Sequence, residues 1–167
     1  MMAFYLRQNF DLRALFVDFG QPASKQELNA ARSLCKHYGV PLSILTAKCD
    51  TTFSPGEIPG RNAFLVFAAM LVCQGRPGLI AIGIHEGPPY YDCSEGFLNA
   101  VQAIVDGYAA GRIRIAAPFL KWNKLMIWEF CKESELPVDL TYSCEKGGST
   151  PCRICPSCKD REALGVL

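Results

Sequence analysis

Residues 12–47 read LRALFVDFGQPASKQELNAARSLCKHYGVPLSILTA, and this stretch decides the fold. Its first part, Leu12 to Phe19, is a short and mainly apolar run before a glycine, which predicts a strand. Apolar side chains then recur near helical spacing from Pro22 to Tyr38, and Gly39 ends that pattern. A second strand is predicted from Leu42 to Ala47. A strand, a helix and another strand in this order predict a parallel pair joined by a helical crossover.

The rest of the chain continues this alternation. The loop TTFSPGEIPGRN is too rich in Gly, Pro and Ser for regular structure and leads into a helix, Asn62 to Cys73. That helix contains the longest apolar run, whose eleven residues fall short of the roughly 20 needed to span a bilayer. We therefore expect a buried helix. We predict a strand covered on both faces at Leu79–Ile84, a strand at Ile113–Ala116, and helices at Met1–Asn9, Cys93–Ala110 and Lys121–Lys132, the last being the final helix.

These elements predict an α/β fold: an open parallel sheet with helices on both faces, which is a doubly wound arrangement. The length of 167 residues is that of one domain, against a prior of roughly 100 to 200 residues. The last 24 residues differ in composition from the rest. We therefore divide the chain into an α/β domain at 1–143 and a C-terminal segment at 144–167.

Composition narrows the class of protein. Half of the residues are hydrophobic and 20% are charged, which favours a packed core over disorder. The 17 basic and 16 acidic residues leave a net charge of +1, so we expect neither a nucleic-acid nor a membrane partner. The amino end has no signal-peptide pattern, and nine cysteines without one favour the reducing cytoplasm.

The strongest chemical signal is four cysteines within fifteen residues: Cys144, Cys152, Cys155 and Cys158. The two-residue spacings let neighbouring sulfurs converge on one ion, and a turn at Gly147–Gly148 brings the first cysteine back to them. We predict a structural zinc with no open coordination position. An iron–sulfur cluster uses similar spacing, and a set of free thiols is the structural alternative.

The order of elements has one unusual feature. The chain opens on the predicted helix Met1–Asn9 with no strand before it. The first strand of a doubly wound sheet usually lies in its middle, beside the ligand site. Without that strand, two interior strands would each carry an unpaired edge. We therefore expect either another sheet plan or a sequence that starts too far downstream.

Four segments together resemble the 7-cyano-7-deazaguanine synthase family of the PP-loop ATP pyrophosphatases. They are FVDFGQ at 16–21 with Glu27, IPGRN at 58–62, GIHEGPPYYDC at 83–93, and a last group that runs from APFLKWNK at 117–124 through TYSC at 141–144 to CRICPSC at 152–158. The resemblance covers nearly the whole chain, and the combination is more specific than any one segment.

The resemblance implies an adenine nucleotide alpha hydrolase-like fold for 1–143 and a zinc held by the four cysteines. It implies ATP with Mg²⁺ as cofactor, and a reaction in which a heterocyclic carboxylate is activated as its adenylate, amidated by ammonia and dehydrated to a nitrile. The substrate would be 7-carboxy-7-deazaguanine, a queuosine precursor. We further expect a cytoplasmic homodimer.

The resemblance also implies roles for single residues, each with a structural alternative. Asp18 and Asn62 are also typical of helix caps, His85 of a structural histidine, and Lys124 of a surface lysine. Cys93 has no histidine near it in sequence, so we do not assign it as a nucleophile. The implied groups are catalytic Lys124 and Arg61, nucleotide-binding Asp18, Gln21, Arg61 and Asn62, substrate-binding His85, Asp92 and Cys93, and metal-binding Cys144, Cys152, Cys155 and Cys158.

The sequence departs from the family pattern at two places. No S-G-G-x-D-S phosphate loop occurs in residues 1–167, and its glycines and helix N-terminus would hold pyrophosphate. We therefore expect this polypeptide to bind ATP weakly or not at all. Either its start is assigned too far downstream, or it is a degenerate relative that has lost this loop. Ser94 and Glu95 replace an expected arginine, which disfavours an anionic substrate. The alternatives are an offshoot acting on a modified base or a protein, for instance in a defence system, and a non-catalytic zinc-stapled binding subunit.

Overall fold

A computed structural model describes residues 1–48, 50–54, 56–85, 87 and 89–166. The chain forms two compact units. Unit 1 contains the described residues of 1–58 and 131–166, and unit 2 contains those of 59–130.

Unit 1 is built on one parallel strand pair. Its elements at the amino end are α1 (Met2–Leu6), β1 (Ala14–Asp18), α2 (Ser24–Tyr38) and β2 (Leu42–Thr46). The strands β1 and β2 pair in parallel along their whole length, so the region 12–47 folds as the strand, helix and strand predicted. Helix α2 ends where expected, because Gly39 adopts a left-handed conformation with φ of 66° that favours glycine.

The carboxyl end of unit 1 contains a helix that the sequence analysis missed. Helix α6 spans Pro156–Ala163, with proline at its first position and Cys155 at its N-cap. The prediction that Lys121–Lys132 forms the final helix is therefore wrong. Helix α6 has only eight residues and a polar surface, so it has no apolar stripe that could have predicted it.

Unit 2 repeats the parallel pairing with shorter strands. Its elements are α3 (Arg61–Cys73), β3 (Gly78–Ala81), α4 (Glu95–Ala109), β4 (Ile113–Ala116) and most of α5 (Lys124–Glu133). Strands β3 and β4 pair in parallel. The side chain of Gln102 on α4 accepts a hydrogen bond from the Ile115 N–H at 2.8 Å and donates to the Ile113 carbonyl at 3.1 Å. These two bonds satisfy backbone groups of β4 that β3 does not reach.

The apolar core of unit 2 lies between its helices and its strand pair. Helix α4 contributes a buried stripe whose members are four residues apart, as expected of one face of an amphipathic helix. The buried members of this core are Val66, Ile84, Phe97, Val101, Val105, Ala109 and Ile113.

Helix α3 is not the buried helix that its apolar sequence predicted. Val66 and Ala68 are buried, whereas Phe64 and Leu71 are 39% and 70% exposed. The strand expected to be covered on both faces also has Leu79 exposed at 39%. Two strands about 4.8 Å apart form a surface roughly as wide as one helix, so the pair covers only one side of α3.

Several predicted boundaries also change. The predicted strand Leu79–Ile84 ends at Ala81, and the predicted helix Met1–Asn9 is shorter, ending at Leu6. The helix expected from Lys121 begins at Lys124, and the helix expected from Cys93 begins at Glu95, after a 3-10 turn at Tyr91–Cys93. The pattern of apolar residues in the sequence indicates where a helix or strand lies, but its first and last residues depend on local contacts at its ends.

The α/β class with parallel strands is confirmed. Within the described residues, the strands are hydrogen-bonded as two separate pairs, β1 with β2 and β3 with β4. The single open, doubly wound sheet and the division at residue 143 therefore stay predictions. No helix in the described part of the chain combines the length and apolarity needed to cross a bilayer.

The buried stripe of unit 2 yields a stability prediction. Ile113→Ala removes a side chain that is 1% exposed and should lower the free energy of unfolding by about 2–5 kcal/mol. Ile104→Ala, at a side chain 51% exposed, should change it by less than about 0.5 kcal/mol. Urea denaturation measures both values, and equal losses in the two variants would contradict the assigned core.

Candidate metal centre and strand-end sites

The four clustered cysteines of unit 1 converge on one point. Their Sγ atoms all lie within 4.8 Å of one another, and the sulfurs of Cys152 and Cys158 are 4.0 Å apart. A tetrahedral ion with Zn–S bonds of roughly 2.3 Å separates its sulfurs by about 3.8 Å. Cys144, Cys155 and Cys158 are buried. The arrangement can therefore hold one metal ion with four sulfur ligands.

Local backbone geometry brings these sulfurs together. Gly147 adopts a left-handed φ of 72°, and its N–H donates to the Cys144 carbonyl at 3.3 Å. A turn is present, but it is centred on Glu145 and Lys146 and not on Gly147–Gly148 as predicted. Cys155 is the N-cap of α6, which places Cys158 in the first turn of that helix. The Cys152 N–H donates to the Cys144 Sγ, and the Cys155 N–H to the Cys152 Sγ, each at 3.4 Å.

Backbone N–H groups and burial also shift the pKa values of the cysteine thiols. Hydrogen bonds from the backbone N–H groups of Ile154 and Cys155 lower the pKa of Cys152 to about 6, although burial opposes this shift. Burial raises the pKa of Cys158 to about 12. Burial alone would also raise the pKa of Cys144, but backbone N–H bonds outweigh it and the net shift is downward. The backbone N–H groups thus favour the thiolate form of Cys152, whereas burial favours the thiol form of Cys158.

The sulfur separations favour a single ion. In an iron–sulfur cluster the cysteines bind different iron atoms, which sets their sulfurs farther apart than the ligands of one ion. With four sulfurs around the ion there is no position for a water or a substrate, so the centre is suited to a structural role.

Asp18 lies at the carboxyl end of β1, as predicted. Its carboxylate accepts a hydrogen bond from the Gly20 N–H at 3.1 Å and pairs with the Lys48 Nζ at 3.0 Å. Burial alone would raise the pKa of Asp18, but Lys48, the Ser24 hydroxyl and the Gly20 N–H outweigh it and lower that pKa. Asp18 is therefore ionised at neutral pH and already has partners within unit 1.

Gln21 organises the loop after β1. Its side-chain oxygen accepts a hydrogen bond from the Phe19 N–H at 3.0 Å. Its amide nitrogen donates to the Val17 carbonyl at 3.2 Å and to the Glu27 carboxylate at 2.9 Å. Asp18 and Gln21 thus form one hydrogen-bonded strand end with Glu27, a residue of the same sequence motif.

Unit 2 gathers a second group of the predicted residues. Asn62, in the first turn of α3, is 4% exposed. It accepts a hydrogen bond from the Arg61 Nε at 3.3 Å and donates to the Asp92 carbonyl at 3.4 Å. No side chain caps the amino end of α3, so the alternative of Asn62 as an ordinary cap is wrong. The side chain instead joins the start of α3 to the 3-10 turn that carries Asp92 and Cys93.

His85 also reaches this group, through its backbone. The backbone of His85 lies close enough to the Cys93 sulfur for its N–H to lower the pKa of that thiol. Burial and the adjacent Asp92 carboxylate raise the pKa of Cys93, while Arg61 and the His85 N–H oppose the rise. Cys93 is therefore a protonated thiol at neutral pH, which agrees with not assigning it as a nucleophile. Glu86 and Pro88, from the same motif, lie outside the described residues.

Lys124 and the two unusual residues occupy helix starts. Lys124 is the first residue of α5. Ser94 is the N-cap of α4 and accepts a hydrogen bond from the Phe97 N–H at 3.1 Å. Glu95 pairs with Lys121 at 3.1 Å in an exposed ion pair. The carboxylate that replaces the expected arginine thus has a cation of this chain beside it.

Sequence reasoning missed Glu145, which follows the first cysteine of the cluster. Its carboxylate accepts hydrogen bonds from the Ser157 N–H at 3.1 Å, the Ser157 hydroxyl at 2.7 Å and the Gly56 N–H at 2.8 Å. Gly56 is 89 residues away in sequence. The sequence offered only a weak signal for this role of Glu145. It is a carboxylate next to a cysteine of the cluster, and it precedes a helix that was not predicted.

The cysteine geometry predicts metal content. The purified chain should bind one Zn²⁺, and Co²⁺ in its place should give the absorption of a tetrahedral four-sulfur site. Cys158→Ser should abolish stable binding, whereas Cys35→Ser, outside the cluster, should not. Elemental analysis after gel filtration measures the content. Iron with acid-labile sulfide, or no metal at all, would contradict the assignment.

The thiol pKa values predict how zinc binding depends on pH. Because burial raises the pKa of Cys158 to about 12 and a metal binds the thiolate form, zinc binding at pH 7 should release at least one proton from the cluster. Zinc affinity should therefore fall as the pH is lowered, more steeply below about pH 6, where Cys152 also becomes protonated. Calorimetry in buffers of different ionisation enthalpy detects the proton. A binding heat independent of the buffer at pH 7 would contradict the prediction.

Comparison with known proteins identifies the family. The profile of the family described as "Queuosine biosynthesis protein QueC" matches residues 50–164, more than half of the chain. A 7-cyano-7-deazaguanine synthase of Prochlorococcus marinus strain NATL2A is 33% identical, over 89% of this chain and 79% of the relative. Synthases of the same name from Synechococcus sp. strain CC9605 and Methanothermobacter thermautotrophicus are 27% and 29% identical, over 96% and 93% of this chain and 84% of each relative. The chain therefore belongs to the QueC family.

Proposed function

We propose that this chain is an ATP-dependent carbon–nitrogen ligase that converts 7-carboxy-7-deazaguanine and ammonia to 7-cyano-7-deazaguanine, a queuosine precursor. Its membership in the QueC family, with relatives named as this synthase, is the observation that carries the proposal. In the proposed reaction, ATP activates the carboxylate as an adenylate and releases pyrophosphate. Ammonia then displaces AMP, and further ATP drives the loss of water from the amide.

The group in unit 2 is suited to handling charge in this reaction. Arg61 is a permanent cation in the first turn of α3, where the helix dipole also favours an anion. Asn62 holds the Arg61 side chain in place, since the Asn62 side-chain oxygen accepts a hydrogen bond from the Arg61 Nε. We assign Arg61 and Lys124 to neutralising negative charge as pyrophosphate leaves, Arg61 and Asn62 also to nucleotide binding, and His85, Asp92 and Cys93 to contacts with the heterocycle.

The remaining assignments concern the nucleotide and the scaffold. We assign Asp18 and Gln21 to the nucleotide pocket, because they end a parallel strand at the edge where such sheets bind ligands. ATP would enter with Mg²⁺, and the four cysteines would hold a structural zinc. The proposal includes an open, doubly wound sheet of the adenine nucleotide hydrolase type, a homodimer and a cytoplasmic location. Residues 1–167 contain no S-G-G-x-D-S loop, so the proposal expects them to bind ATP weakly.

A second candidate function uses another acceptor, such as a modified base or a protein. Ser94 and Glu95 favour it, since the serine is used as a helix cap and the glutamate adds a negative charge two residues after Cys93. Lys121 lies 3.1 Å from Glu95, but both side chains are largely exposed, so solvent weakens this compensation. The carboxylate therefore disfavours an anionic substrate more than a neutral one.

Complementation tests the leading proposal. A bacterial strain without its own 7-cyano-7-deazaguanine synthase receives this gene with its native upstream region, and queuosine in tRNA is measured by mass spectrometry. We expect queuosine to be restored. Arg61→Gln should reduce it to below about a tenth, the effect of losing roughly 1.4 kcal/mol of transition-state stabilisation. Arg76→Gln, an exposed arginine of the same unit, should leave it unchanged.

Feeding 7-cyano-7-deazaguanine serves as the control for the later steps. If the fed strain makes queuosine and the strain with this gene does not, at equal protein level, the synthase assignment is wrong and another acceptor is favoured. An equal loss of queuosine in the Arg61→Gln and Arg76→Gln variants would show that Arg61 is not part of the site.

A further inference from the structure

The segment between the first two metal-binding cysteines contacts two loops of unit 1. One of these, the β1 loop (19–23), follows β1. The other, the β2 loop (47–58), follows β2, and its described residues are all but 49 and 55. Because parallel strands end at the same edge of their sheet, both loops leave the carboxyl edge of the β1–β2 pair. The segment is therefore packed against the edge that carries Asp18 and Gln21.

Gly147 makes the contact with the β1 loop. A Cβ at this position would overlap the Pro22 carbonyl oxygen, lying 2.7 Å from the carbonyl carbon and 3.1 Å from the Ala23 Cα. Gly147 also has the positive φ that disfavours other residues. The backbone of the cysteine segment thus lies directly on the peptide that follows Gln21, with no room for a side chain between them.

Glu145 makes the contact with the β2 loop. One carboxylate oxygen accepts from the Gly56 N–H at 2.8 Å, and the other accepts from the N–H and the hydroxyl of Ser157 on α6. Hydrogen bonds to a charged acceptor are stronger than neutral ones. This one side chain therefore joins the β2 loop to the helix that carries Cys158.

The two loops also contact each other. The rings of Phe19 and Phe53 meet edge to face with centroids 5.3 Å apart, and Lys48 pairs with Asp18. A displacement of either loop would disturb the other. The cysteine segment adds two contacts to this edge, both made by residues within three positions of Cys144.

We propose that the four-cysteine segment is a metal-dependent clamp on the carboxyl edge of the β1–β2 pair, with Glu145 and Gly147 as its positioning residues. The metal fixes Cys144 relative to Cys158, which fixes the residues between them that touch the β1 and β2 loops. This inference concerns the loops alone and does not depend on the proposed synthase activity.

Hydrogen exchange on the full chain with Zn²⁺ bound tests the clamp. Gly147→Ala should accelerate exchange of the Ser24 amide, which donates to the Gln21 carbonyl, by about tenfold. The matched control is Gly165→Ala, because Gly165 has a φ of 69° but no atom within 4 Å of the position that a Cβ would take. It carries the same backbone strain without the overlap, and its Ser24 exchange should match the wild type.

Glu145→Gln tests the second contact with less risk to folding. Glutamine keeps one acceptor oxygen, so either Gly56 or Ser157 loses its partner, and exchange at one of these amides should rise about tenfold, the order expected for a charge-assisted bond. Glu162→Gln removes the same charge at an exposed position of α6 and should change neither amide. The Co²⁺ absorption of both variants should equal that of the wild type, which a general loss of structure would alter.

Removal of the metal by a chelator completes the test. We expect the β1 and β2 loops to exchange faster while β1 and β2 stay protected. The clamp is refuted if both loops keep their protection without metal, if Glu145→Gln and Gly147→Ala behave as their controls do, or if exchange rises equally across all of unit 1. In the last case the metal stabilises unit 1 as a whole and does not act specifically on the carboxyl edge of the β1–β2 pair.

Discussion

Four sulfur atoms held within 4.8 Å of one another are the constraint on which unit 1 depends. As thiolates without a cation they would repel, and as thiols they would be buried polar groups with weak partners. The aliphatic core of unit 1 is small: its buried apolar side chains outside the cysteine cluster, among the described residues, are Leu6, Val17 and Ala23. A metal on the cysteines would therefore hold the cysteine segment, and with it the β1 and β2 loops, in a place that apolar burial does not fix.

The candidate functional residues divide into two groups with different support. In unit 1, Asp18 and Gln21 are fixed by hydrogen bonds within their own strand end. In unit 2, Asn62 is the buried polar side chain that links Arg61 to the turn of Asp92. Preorganised polar groups of this kind need little rearrangement when a charged ligand binds, which is an advantage for stabilising charge that develops during a reaction.

Much of this arrangement could be predicted from the sequence. Periodicity and glycine punctuation located the β1–α2–β2 region and the end of α2 at Tyr38, and cysteine spacing predicted that the four sulfurs converge, because these signals are local. Helix α6 and the role of Glu145 could not be found in the same way, since α6 has no apolar stripe and Glu145 acts on Gly56, 89 residues away. The exposure of Leu71 also could not be predicted from the sequence, because it depends on how many strands pack against α3.

The most direct test of this account is X-ray absorption at the zinc edge of the purified chain. We predict one shell of four sulfur atoms at about 2.3 Å, with no nitrogen or oxygen ligand. A shell containing nitrogen or oxygen, or fewer than four sulfurs, would contradict the convergence of Cys144, Cys152, Cys155 and Cys158 on one ion.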